Sequence, residues 1–200
     1  DFRNEGVSFK HNPEFTMLEW YKAYVDYTYS MGLCERLLAF VAGRVNGTTQ
    51  ITYAGSEIEL APPWRRWRLR DAIREMSGID YVDYPTAETL TAAMRAKGME
   101  IADGQPWGKL IEKLLGDFVE PTLIQPTIIY DYPRDISPFA KAVPGDPLHV
   151  QRFEFYIAGM EMGNAFTELN DPLDQAARFT EIARLFAESE DDAAPLDEDY

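Results

Sequence analysis

A chain of 200 residues with 46% hydrophobic and 13% aromatic content carries enough apolar surface for one folded domain, or a large part of a bigger one, and does not indicate disorder overall. Its 34 acidic against 19 basic residues leave a net charge of −15, which argues against a surface built to grip a polyanion and suits solubility or the attraction of a cation. No apolar run is long enough for a membrane span, the lone Cys34 excludes an internal disulfide and fits a reducing cytosol, and two histidines with one cysteine give no transition-metal spacing.

In chain order, Phe2–Gly6 and Phe15–Tyr21 read as strands joined through Gly6–Pro13, an antiparallel hairpin with a long connection. Side-chain alternation puts Phe15, Met17, Glu19 and Tyr21 on one face and Thr16, Leu18 and Trp20 on the other, while Arg3 and Glu5 share a face of the first segment. A guanidinium, rings and carboxylates on one face make a poor core and suit the floor of a charged ligand's site. A helix is expected from about Lys22 to Val45, where Tyr24, Tyr27, Met31, Cys34, Leu38 and Val41 recur at helical steps. On that helix Cys34 fits a small packing residue better than a nucleophile.

A polar hairpin over Thr48–Glu59 and a break at Pro62-Pro63 precede a helix from Leu69 to near Gly78. Thr86 is a good N-cap for a helix through Lys97 that Gly98 stops, and Trp107–Val119 is amphipathic. Trp67 and Trp107 suit packing rather than base stacking. Pro126–Asp131 reads as a buried strand, Ser137–Pro147 as loop, and Arg152–Ala158 and Met162–Leu169 as two further strands. Asp171 caps a last helix with Pro172 at its first position, running to about Glu188 before an acidic tail.

This order gives an α+β fold: an antiparallel sheet with helices on one side and a mainly helical insertion at about 60–120. In the late strands Glu154 and Tyr156 share a face opposite Phe153, Phe155 and Ile157, and Asn164, Phe166 and Glu168 line one face of the next strand. Taken singly these residues read plainly. Arg3 with Glu5 would be a surface pair, Phe15 and Phe166 core rings, His11 and His149 exposed loop histidines, and Glu154 a solvated strand residue.

Two long stretches change that weighting. FRNEGVSFKHNPEFTMLEWY from Phe2 resembles motif 2 of class II aminoacyl-tRNA synthetases in its lysyl-tRNA synthetase form. RFEFYIAG from Arg152 and EMGNAFTELNDP from Glu161 resemble the later signature of the same family, with DYPRDISPFAK (Asp131–Lys141) between. The resemblance implies the class II synthetase catalytic fold, and a ligase that joins lysine to tRNA(Lys) through an ATP-derived lysyl-adenylate. Arg3 would be the catalytic residue, holding the α-phosphate of ATP. Glu5 would read the adenine amino group, His11 lie near the γ-phosphate and Phe15 stack on the purine. Glu154 and Glu161 would hold Mg²⁺, and Glu19, Tyr21, Asn164, Phe166 and Glu168 would form the lysine pocket. The resemblance further implies a cytoplasmic homodimeric parent, with no membrane or DNA partner.

An N-terminal OB-fold anticodon domain, motif 1 and motif 3 are expected to lie outside this stretch, so the stretch alone is expected to be inactive. A paralogue that modifies a translation elongation factor shares His11–Phe15 and Leu18–Tyr21, whereas Asn4–Gly6, Ser137-Pro138 and Asn164–Asp171 favour the tRNA enzyme. A non-catalytic regulatory fragment is the third reading.

Overall fold

The computed structural model describes residues 1–4, 6–8 and 11–187, with side chains to residue 181. Glu5 and the acidic tail from residue 188 onward lie outside the described residues.

At its start the chain pairs antiparallel with itself, Phe2 opposite Glu14, with Arg3 N–H donating to Pro13 O (3.0 Å) and Phe15 N–H to Asp1 O (3.1 Å). The pairing stops there. A strand-like side-chain pattern becomes a strand only where a second main chain lies alongside, and among the described residues none does so beside Met17–Tyr21. The expected strand over Phe15–Tyr21 is therefore corrected to an irregular segment. Its Trp20 packs inward while Leu18 and Tyr21 stay exposed.

The first helix, α1 (Tyr27–Asn46), starts five residues later than its periodicity suggested. Tyr24 has φ +61, which a helix cannot contain, and the Asp26 carboxylate then caps Thr28 N–H. Gly47, at φ +73, closes the helix by donating its N–H to Gly43 O. The small hairpin follows as β1 (Gln50–Tyr53) and β2 (Ser56–Glu59).

The short β3 (Arg65–Arg68) runs directly into α2 (Leu69–Ser77). A mainly helical stretch continues with α3 (Ala87–Ala96), opened by the Thr86/Thr89 capping box, and α4 (Trp107–Leu114), which widens into a π-turn over Leu115–Val119. The chain then returns through β4 (Thr127–Pro133), β5 (Ala142–Val143), the long β6 (Asp146–Ile157) and β7 (Met160–Phe166), before α5 (Pro172–Ala187).

β6 is the spine of the main sheet. It pairs antiparallel with β4 on one edge, and on the other with β7 along Arg152–Ile157 and with β5 nearer its start. β3 pairs parallel with β4, so the sheet is largely antiparallel with one parallel strand. The intervening helices supply the crossover that parallel pairing requires.

Helices cover both faces, which corrects the one-sided expectation. Phe153, Phe155 and Ile157 point with Ile128 and Trp64 towards Met31 and Cys34 of α1. Ile129, Tyr132, Val150 and Tyr156 point the other way, among Ala72, Ile73, Leu110 and Leu114 of α2 and α4. Each fully buried side chain of this size contributes about 1.5–3 kcal/mol, so the alternation along Phe153–Ile157 of β6 fixes its register from both sides, while β4 shifts register between Tyr130 and Tyr132. Cys34 is buried in this packing, which pushes its thiol up to about 11 and suits its predicted packing role.

Candidate functional site

Alternation along β6 places Arg152, Glu154 and Tyr156 on the face that holds α2 and α4. Glu154 is buried there and its carboxylate is held from three directions. Tyr132 Oη donates to Oε2 at 2.7 Å, Tyr156 Oη donates to the same oxygen, and Arg152 Nη2 donates to Oε1 at 2.7 Å. Burial, then the adjoining Glu154 carboxylate, push both phenols well up, so they stay protonated donors.

Arg152 is itself fixed. Its Nη1 donates to Ile136 O and Ser137 Oγ, both at 2.9 Å, and its guanidinium lies over the Tyr132 ring at 5.1 Å. Glu154 is thus a clamped carboxylate rather than the solvated strand residue of its plain reading.

β7 brings three more predicted residues to this face. Asn164 is opposite Glu154 and Phe166 opposite Arg152, so each pair shares a side of the sheet. The register then shifts: Phe155 faces Gly163 but Tyr156 faces Glu161, leaving Met162 as an extra residue. The bulge turns Glu161 to the same side as Asn164, against plain alternation. Glu161 keeps part of its surface in solvent. Desolvation of the rest and the charge of Glu154 push its carboxyl up to about 7, while Arg152 and Arg3 pull it down.

The first hairpin contributes Arg3 and Phe15, with the guanidinium 5.4 Å from the ring centre. Phe15 and Glu19 line a shallow open groove with Asp1, Thr16 and Met17. His11 is exposed, its ring Nδ1 3.2 Å from Ser8 Oγ. Glu168 bridges to Ala140 just beyond β7, and partial burial raises its carboxyl. Among the described residues no hydrogen bond or ion pair joins Glu19 or Tyr21 to Glu168, and Tyr21 is 82% exposed. The structure therefore gathers Arg152, Glu154, Tyr156, Glu161, Asn164 and Phe166 on one face, with the charge of Arg3 within reach of Glu161.

Several polar groups here carry no single-residue sequence signal. Asp131 is buried at φ +62 and accepts from Tyr27 Oη (2.7 Å) and Arg68 Nε (3.0 Å), tying α1, β3 and β4 together. His149, expected in an exposed loop, is instead buried within β6. It bonds Tyr81 Oη at 2.7 Å and Asp146 at 2.8 Å, because the longer strand carries it under the helical stretch. Arg178 of α5 pairs with Asp174 and donates to Ala140 O at 2.8 Å, steadying the loop residue that bridges to Glu168. Arg66 and Arg70 are paired with Glu35 and Asp80.

Glu154 and Glu161 fit a divalent cation by donor chemistry. Two carboxylates share one face, and Glu161 is raised first by its own burial and then by the charge of Glu154, a repulsion that a cation between them would relieve. Among the described residues no group of three or more metal-ligating side chains stands together. An ion held here would complete its shell with ligand and water oxygens, as Mg²⁺ does.

The whole chain, residues 1–200, matches the family described as tRNA synthetases class II (D, K and N). It is 48% identical over 200 residues to a lysine–tRNA ligase of Chloroflexus aurantiacus and 48% identical over 199 residues to one of Moorella thermoacetica. It is 46% identical over 202 residues to one of Pelotomaculum thermopropionicum. Each match covers 100% of this chain, and the chain spans 41% of the length of the first two relatives and 40% of the third.

Proposed function

The chain belongs to the class II tRNA synthetases of the D, K and N group, and from that premise we propose that it forms part of the catalytic domain of a lysine–tRNA ligase. The observation that carries this reading is the single sheet face shared by Glu154, Glu161, Asn164 and Phe166, within a chain matched end to end by lysine–tRNA ligases.

In the first step a lysine carboxylate oxygen attacks the α-phosphorus of ATP, and pyrophosphate leaves to give lysyl-adenylate. In the second, a terminal ribose hydroxyl of tRNA(Lys) attacks the activated carbonyl and AMP leaves. Arg3 stabilises the charge that builds on the α-phosphate, so that positioning and electrostatics supply most of the acceleration. Phe15, with Arg3 beside its ring, stacks on the adenine, Glu5 accepts from the adenine amino group, and His11 lies near the γ-phosphate. Glu154 and Glu161 hold Mg²⁺, which when bound offsets phosphate charge. Glu19, Tyr21, Asn164, Phe166 and Glu168 form the lysine site, with Glu19 and Glu168 facing its ammonium. The parent enzyme is proposed to be a homodimer.

The test is lysine-dependent ATP–pyrophosphate exchange by the enzyme that contains this chain. Loss of a charge-assisted hydrogen bond costs about 1.5–3 kcal/mol, which corresponds to roughly 10–100-fold in affinity. Glu168→Gln should raise the KM for lysine by roughly that factor and leave the KM for ATP within about twofold. Exchange that ignores lysine, or a variant that shifts both constants alike, would defeat the assignment.

A further inference from the structure

We propose that Tyr132, Tyr156 and Arg152 restrict Glu154 to one free lone pair on Oε1, making it a single-point metal ligand that favours Mg²⁺ over Ca²⁺. This rests on the reading of Glu154 and Glu161 as the metal carboxylates. An ionised carboxylate offers about four lone-pair directions. On Oε2 both are taken, one by Tyr132 Oη at 2.7 Å and one by Tyr156 Oη. On Oε1 one is taken by Arg152 Nη2 at 2.7 Å, leaving one.

Two-oxygen coordination needs a free direction on each oxygen, and Oε2 has none. The phenols are buried, Tyr132 at 2% and Tyr156 at 1% exposure, so a hydroxyl released from Glu154 would meet no water and only the other phenol's oxygen, 3.5 Å away at the limit of a hydrogen bond. Arg152 is equally fixed by Ile136 O and Ser137 Oγ. Ca²⁺ takes six to eight oxygens and often uses carboxylates through both, whereas Mg²⁺ keeps an octahedron of single contacts. Groups behind a ligand commonly set metal affinity in this way.

The experiment titrates the enzyme that contains this chain, loaded with a non-hydrolysable ATP analogue, separately with Mg²⁺ and Ca²⁺ by calorimetry. Circular dichroism and melting curves report the fold. In the Tyr132→Phe/Tyr156→Phe double variant, the preference for Mg²⁺ over Ca²⁺ should fall by ~10-fold or more. An unchanged ratio, or equal weakening of both ions, overturns the proposal. If the double variant does not fold, Tyr132→Phe alone should lower the ratio several-fold, and an unchanged ratio there is equally fatal. Glu161→Gln separates the two ideas. If it leaves binding of both ions intact, the metal assignment itself fails. If it weakens both while the phenol variants keep the ratio, only the clamp fails.

Discussion

Asp131 shows how one residue can join three elements. It holds φ +62, a conformation that Asp and Asn tolerate far better than branched residues, and its carboxylate receives Tyr27 and Arg68. Asp131→Asn keeps the backbone preference but loses the charge, and should cost about 1–2 kcal/mol in chemical denaturation. Asp131→Val loses both and should cost about 3 kcal/mol or more. Equal losses would mean that backbone conformation plays no part. Membership of the DYPRDISPFAK stretch does not reveal this conformation of Asp131, because a positive φ follows from the register shift between Tyr130 and Tyr132, not from the residue alone. His149 was misread for a related reason: its partners Tyr81 and Asp146 acquire meaning only once the helical stretch folds over β6. Arg3, Glu154 and Glu161 are proposed from long signatures, since Arg3 and Glu154 taken singly have ordinary surface readings.

Elements with local instructions were legible. Thr86 and Asp171 cap their helices as read, since their side chains accept from main-chain N–H groups inside the following turn. β3 was missed because Arg65-Arg66-Trp67-Arg68 pairs with a strand far along the sequence. Packing between elements can also defeat propensity. Gly108 lies in α4, where alanine would favour the helix by about 1 kcal/mol, but an added Cβ would stand 2.4 Å from Ile136 Cγ2. Isoleucine is stiff at that branch, and overpacking costs about 1–3 kcal/mol, so Gly108→Ala should lower the denaturation midpoint. A rise would show that Ile136 yields freely.

Asp80 anchors the turn after α2 to that helix. Hydrogen bonds from Arg70, at 2.9 Å to each carboxylate oxygen, hold its carboxyl below the usual range. Such a group stabilises the fold above its unfolded value, near pH 4, and the contribution disappears as pH falls through the lowered folded value. Because Arg70 is two-fifths exposed, the contribution should be about 1 kcal/mol. Wild type and Asp80→Asn should therefore differ by that amount at pH 6 and converge towards pH 3, and a constant gap would contradict the linkage.

At the scale of the molecule, one sheet separates two apolar clusters. Ile128 and Ile129 are adjacent and both fully buried, yet one packs towards α1 and the other towards α2 and α4. Ile128→Val and Ile129→Val should each cost about 0.5–1.5 kcal/mol, and together they should add within about 0.5 kcal/mol despite being sequence neighbours. A larger interaction energy would show that the sheet transmits strain between its sides. The α+β class was legible from element order, whereas cover on both faces was not, because a β4 run buried on either side carries no label for which helix meets which side.

The β6–β7 hairpin has unequal arms, Met162 being unmatched. With arms of equal length, Glu161 would be turned to the reverse of the sheet, among Phe155 and Trp64, whose indole N–H is already given to Leu60 O. The two carboxylates owe their common outlook to a miscount of one in the chain, a geometry that counting by twos along the sequence would overlook.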